Sequence, residues 1–131
     1  IRKVKDAREL ERIEENIHGN DRIFEMLRET VRPGISEFEL WAVIQNGLNE
    51  NAGGPVVLEG DLGVGARASN PDAKPGHHKV REGEIIFADI YSCSHMYYAD
   101  TTRVFAAGEP DSRQKAVHTV LLEALEDLWP L

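Results

Sequence analysis

Residues 84–105 read EIIFADIYSCSHMYYADTTRVF, and this stretch decides the fold. Two runs rich in β-branched and aromatic residues, 84–91 and 97–105, read as strands. Each carries an aspartate within it, Asp89 in the first and Asp100 in the second. A carboxylate buried without a partner is strongly disfavoured, so each needs a cation, hydrogen-bond donors or a metal. If the runs pair as an antiparallel hairpin with Asp89 opposite Asp100, Ser94-His95 remains as a two-residue turn. The two carboxylates then share a face, with Cβ atoms about 4.5–5.5 Å apart. Like charges that close repel and require compensation. Two divalent cations about 3.5–4 Å apart, bridged by carboxylates, would supply it. Oxygen donors favour Mn or Mg, and added histidine broadens the choice to Co, Fe or Zn. An ion pair with Arg103, or one aspartate capping a turn, remains an open alternative.

Working outward, residues 6–31 read as a long amphipathic helix. Leu10, Ile13, Ile17, Phe24, Leu27 and Val31 recur at three- and four-residue steps, and only Asn20 interrupts the stripe. Arg32-Pro33-Gly34 stops that helix. Ser36 with Glu39 is a capping box for a second helix. Its buried face is predicted to be Leu40, Trp41, Ile44 and Leu48, and its end lies near 51–54. Residues 56–58 and 62–64 read as two short strands separated by Glu59-Gly60-Asp61. The Pro- and Gly-bearing stretch 69–83 reads as loop. Asp111 with Gln114 caps a closing helix that is predicted to bury Val117, Val120, Leu121, Ala124, Leu125 and Leu128 before Pro130. The order helix, helix, strands, helix indicates an α+β fold.

The chain has 131 residues and a formal net charge of −8. Residues 1–32 are neutral, whereas residues 33–108 carry five basic and ten acidic side chains, so site chemistry is expected in the middle. This balance opposes nonspecific nucleic-acid binding, which needs Lys and Arg on phosphates. One cysteine, Cys93, excludes an internal disulfide and fits a reducing, cytoplasmic setting. No apolar run approaches the roughly 20 residues that span a bilayer.

The run 80–89 (VREGEIIFAD), then Tyr98-Ala99-Asp100-Thr101-Thr102-Arg103-Val104-Phe105 and Gly108-Glu109-Pro110, resembles the creatinase/prolidase/methionine-aminopeptidase family. That family has the "pita-bread" fold. The eleven-residue step from Asp89 to Asp100 matches its pattern. The opening 1–6, the long helix and 32–40 (RPGISEFEL) are similar to the prolidase and aminopeptidase P branch. The resemblance implies that residues 1–131 are the first half of a pita-bread catalytic domain, with helices packed on a mainly antiparallel sheet. Asp89 and Asp100 would be two carboxylate ligands of a centre of two divalent metal ions (Mn, Co or Zn). Thr102 would sit beside that site and touch substrate, and Arg103 would anchor its strand.

Three departures from the family stand out. Tyr91 stands where the family usually has glycine, two residues after the first Asp. Pro71-Asp72 stands where the family has Pro-His, so Asp72 takes the place of a substrate-contacting histidine. His77 and His78 share that loop and are expected to be solvent-exposed. Finally, the one His and two Glu that complete the family's ligand set have no counterpart after Asp100. The resemblance therefore implies a homodimeric, metal-dependent Xaa-Pro peptidase or dipeptidase in the complete protein, with a metal-bridged hydroxide attacking the amide carbonyl. The 131-residue chain is expected to be inactive alone. A hydrolase acting on a small amidine or amide is the second reading, because Asp72 would favour a cationic group. A metal-free, chaperone-like binding module is the third.

Overall fold

The computed structural model describes residues 3–70 and 72–128. Helix α1 (Ala7–Thr30) and helix α2 (Glu37–Ala52) precede strand β1 (Glu59–Val64) and a short 3-10 helix (Gly65–Ser69). Strands β2 (Ile85–Ser94) and β3 (Tyr97–Ala106) follow, and helix α3 (Ser112–Leu128) closes the order. The strands form one antiparallel sheet in the order β1-β2-β3. The α+β expectation is met, with α1 and α2 covering one face of the sheet. Ile86, Ala88 and Ile90 of β2 and Leu62 and Val64 of β1 face Ile23, Leu27, Leu40 and Ile44 in a single core.

The helix ends lie where their caps predict. Asp6 and Glu9 form a capping box on α1, Ser36 and Glu39 form another on α2, and Gly53 ends α2 in the left-handed region. The buried stripe of α1 differs from the sequence reading. It runs through Asn16, Gly19, Asn20, Ile23, Phe24 and Leu27, while Leu10 and Ile17 are exposed. Asn20 is therefore no interruption. Its Nδ2 donates to the Ala99 carbonyl (3.3 Å) and Thr101 Oγ1 (3.1 Å), and Asn16 Nδ2 donates to the Tyr97 carbonyl (2.8 Å). Periodicity of apolar residues could not reveal polar side chains placed in the stripe to meet a strand edge.

Three further expectations are corrected. Residues 56–58 are not a strand, and Glu59-Gly60-Asp61 lies inside β1 instead of separating two strands. Gly60 permits this, since a Cβ there would lie 2.2 Å from the Asp89 carbonyl oxygen. The hairpin turn is His95-Met96, both at positive φ, so Asp89 pairs with Thr102 and Tyr91 with Asp100. This register keeps every side chain on the face assigned by the sequence, because the slip moves each partner by two residues. Apolar patterning alone could not choose between the registers.

The third correction concerns α3, which has no buried residue. Its cap is formed as expected, with Asp111 and Gln114 exchanging backbone-to-side-chain hydrogen bonds. No described element packs along the helix, and Val117, Val120, Leu121, Leu125 and Leu128 are exposed. Pro130 lies outside the described residues. Helices α1 and α2, by contrast, cross closely at Gly47, where a Cβ would sit 2.6 Å from Ile23 Cγ1.

Two outcomes are expected. Gly47→Ala should cost about 1–3 kcal/mol in urea denaturation, because the added methyl overpacks the helix crossing. The 131-residue chain should self-associate with rising concentration through its uncovered apolar α3 stripe, read by sedimentation equilibrium.

Candidate metal centre

The face of the sheet turned away from α1 and α2 carries the carboxylates. Strand alternation places Asp89 and Tyr91 of β2, Asp100 and Thr102 of β3, and Glu59 and Asp61 of β1 on this face. Asp61 lies directly across the ladder from Asp89, and Thr102 lies directly across on the other side. Asp100 is diagonal to Asp89, a relation that separates Cα atoms by about 7–8 Å with Cβ atoms somewhat closer.

Both oxygens of Asp89 are held. Thr102 Oγ1 donates to Oδ1 at 2.7 Å and the Tyr91 hydroxyl donates to Oδ2 at 2.8 Å. The Tyr91 phenol is pushed well above its ordinary value, first by that hydrogen bond and then by desolvation. It is therefore a hydrogen-bond donor at any physiological pH. Asp100 is raised above the usual carboxylate value by desolvation, by the charge of Asp89 and by a hydrogen bond with Asp89.

The cations near this face bond groups other than Asp89 and Asp100. Lys74 Nζ donates to Asp61 Oδ1 (2.6 Å) and to the Gly60 carbonyl (2.7 Å). Arg103 alternates onto the opposite face, over the Phe24 ring at 5.3 Å and 3.9 Å from Asp21. An Asp–Arg103 ion pair is therefore not formed by Asp89 or Asp100, and neither aspartate caps a turn. Arg103 instead ties β3 to α1.

The loop bearing Lys74 is organised by Glu37, which is fully buried. Its Oε1 accepts from the Val64 amide (3.1 Å) and Arg67 Nε (3.1 Å), and its Oε2 accepts from the Gly76 amide (2.6 Å). Arg67 also donates to the Lys74 carbonyl. Asp72 is exposed in the turn after the 3-10 helix, its amide donating to Asn70 Oδ1, and its carboxylate bonds no described residue. Pro71 lies outside the described residues. His77 is exposed with its ring edge-on to Phe38, and His78 is half-buried with Nε2 2.8 Å from Glu84 Oε2. Neither histidine has a contact with the carboxylate pair.

The donor chemistry suits a hard divalent cation, since Asp89 and Asp100 present oxygen ligands with no neutralising side chain. Among the described residues no group of three His, Cys, Asp or Glu assembles to hold a metal. Asp61 and Lys74 are neighbours of this face that motif spacing did not single out, and Tyr91, noted only as a departure from the family's glycine, bonds Asp89. The signal for Asp61 was its alternation with Glu59, hidden when Glu59-Gly60-Asp61 was read as a connection.

The sequence profile of Metallopeptidase family M24 matches residues 11–130, and the chain belongs to that family. An uncharacterized peptidase of Staphylococcus haemolyticus is 28% identical over 129 residues, covering 95% of this chain and 35% of that protein. The Xaa-Pro dipeptidase of Pyrococcus horikoshii is 23% identical over 124 residues, with the same coverages. The X-Pro aminopeptidase of Thermotoga maritima superimposes with a TM-score of 0.85 at 31% identity, over 95% of this chain and 35% of that structure. The fold is that of the N-terminal part of pita-bread prolidase structures. The chain spans about a third of the length of these relatives.

The raised Asp100 carboxyl has a signed consequence. A group bound more tightly to its proton when folded contributes stability below its ordinary value of 3.8, and that contribution is lost as pH rises through the raised value. Metal-free Asp100→Asn, which mimics the protonated form, should therefore melt above the native chain at pH 7. The advantage should vanish as pH falls below 3.8, as followed by thermal melts across pH.

Proposed function

We propose that this chain is the first half of the catalytic domain of a metal-dependent hydrolase of the Xaa-Pro peptidase or dipeptidase type. The observation that carries the reading is the pair Asp89 and Asp100, diagonal neighbours on one sheet face, with the nearby Lys74 bonded to Asp61 and Arg103 turned to the opposite face. Peptidase relatives named Xaa-Pro dipeptidase and X-Pro aminopeptidase support it.

Asp89 and Asp100 would hold two divalent metal ions (Mn, Co or Zn), with further ligands from the remainder of the domain. Bound cations of this kind supply Lewis acidity that activates water and polarises an amide carbonyl. The chain's own residues do the rest of the work available here. Thr102 holds one oxygen of Asp89 and so fixes how that carboxylate faces the site, while standing at its rim for substrate. Asp72 offers a carboxylate that bonds none of the described residues, in the loop beyond the 3-10 helix. The peptide substrate, a homodimeric assembly and a cytoplasmic setting belong to this same reading, the last supported by the lone Cys93. No helix among the described residues is long and apolar enough to cross a membrane.

Asp72 also favours a second reading within the fold, a hydrolase acting on a small amidine or amide, because an exposed carboxylate would select a cationic group. Metal analysis with hydrolysis assays on the full-length protein decides between them. Proline dipeptides should be cleaved in the presence of Mn²⁺, and Asp89→Ala should reduce cleavage to background. Bound metal without dipeptide cleavage would favour the amidine or amide hydrolase. A full-length protein that binds no Mn, Co or Zn, with Asp89→Ala indistinguishable from native, would leave the metal-free binding module.

A further inference from the structure

We propose that Tyr91 is a positioning residue for metal binding, its hydroxyl setting the orientation in which Asp89 is offered to a divalent cation, with Asp61 and Lys74 keeping that hydroxyl on Asp89. The inference rests on the reading of Asp89 as a metal ligand.

The geometry around Asp89 supports this role. Its Oδ1 accepts from Thr102 and its Oδ2 from Tyr91, at 2.7 and 2.8 Å. One hydroxyl on each oxygen fixes the carboxylate plane and leaves acceptor capacity on both oxygens. Hydrogen-bonded partners of this kind are what orient metal-binding carboxylates. Tyr91 is placed for the task by alternation, two residues along β2 on the same face.

The competing acceptor is Asp61. The Tyr91 hydroxyl lies 3.3 Å from Asp61 Oδ2, and a phenol has one proton to give. Asp61 is directly across the ladder from Asp89 and nearly buried, so left uncompensated it would draw both that proton and any cation. Lys74 counters this by donating to Asp61 Oδ1 and to the Gly60 carbonyl. The hydroxyl accordingly sits closer to Asp89. The chain Lys74–Asp61–Tyr91–Asp89–Thr102 is continuous across all three strands and the loop beside them.

The test uses the full-length protein stripped of metal, titrated with MnCl₂ in a calorimeter. Tyr91→Phe keeps the ring and removes one oxygen, so its metal-free melting temperature should stay within about two degrees of native while Mn²⁺ affinity falls on the order of tenfold. Equal Mn²⁺ affinity in native and Tyr91→Phe proteins would overturn the proposal. Lys74→Met supplies a second variant with Tyr91 intact. In its metal-free crystal structure the Tyr91 hydroxyl should move to Asp61, whereas an unchanged contact with Asp89 would overturn the proposal. Native protein that binds none of Mn²⁺, Co²⁺ and Zn²⁺ would overturn the metallohydrolase reading together with this one. Native binding with no effect of Tyr91→Phe overturns this inference alone.

Discussion

Strand β3 is the edge of a three-stranded sheet, and among the described residues no neighbouring strand donates to its outward carbonyls. Asn16 and Asn20, one helical turn apart on α1, donate to the carbonyls of Tyr97 and Ala99. Much of the molecule depends on this attachment. It lays α1 along the hairpin, commits Ile86, Ala88 and Ile90 to the core and leaves the alternate residues facing outward. A buried carbonyl without a donor costs on the order of 1–3 kcal/mol, so the asparagines stabilise by removing penalties as much as by adding bonds. They also close an edge that could otherwise recruit a foreign strand.

The carboxylate face follows from that commitment. Once the apolar residues of β2 point at the helices, Asp89 and Tyr91 must point away, and Asp100 and Thr102 of β3 join them. Glu37 performs a complementary service at the other end of the sheet. Fully buried, it gathers the amides of Val64 and Gly76 and the Arg67 guanidinium. The loop so organised carries Lys74 to Asp61. Two groups of hydrogen bonds, one at each margin of the sheet, thus shape a surface on which carboxylates sit close together.

Much of this was visible in residue order. Ser36 with Glu39 located the start of α2, and Gly53 its end. The strands carrying Asp89 and Asp100 were legible from their β-branched and aromatic content. Two of the corrected expectations share one cause, that polar residues read as breaks in a pattern. Asn20 was read as a flaw in a stripe and Glu59-Gly60-Asp61 as a connection, yet both lie inside regular elements because their side chains or backbones meet a neighbouring strand. The apolar stripe of α3 was read as buried, but periodicity reports amphipathicity and does not name the surface that covers it. The capping residues Asp111 and Gln114 were legible because a cap is local to one turn.

Residue order established the α+β class, the helix caps, the strand content and the fact that Asp89 and Asp100 share a face, since alternation has a period of two and survives any even slip. Packing chose the register, the turn at His95-Met96 and the partners of each carboxylate. These depend on contacts between residues far apart in the chain, such as Thr102 with Asp89 and Asn20 with Ala99, which no local pattern encodes. The physical reason is range: caps and alternation are set within a few residues, whereas the site arises where three strands and a loop converge.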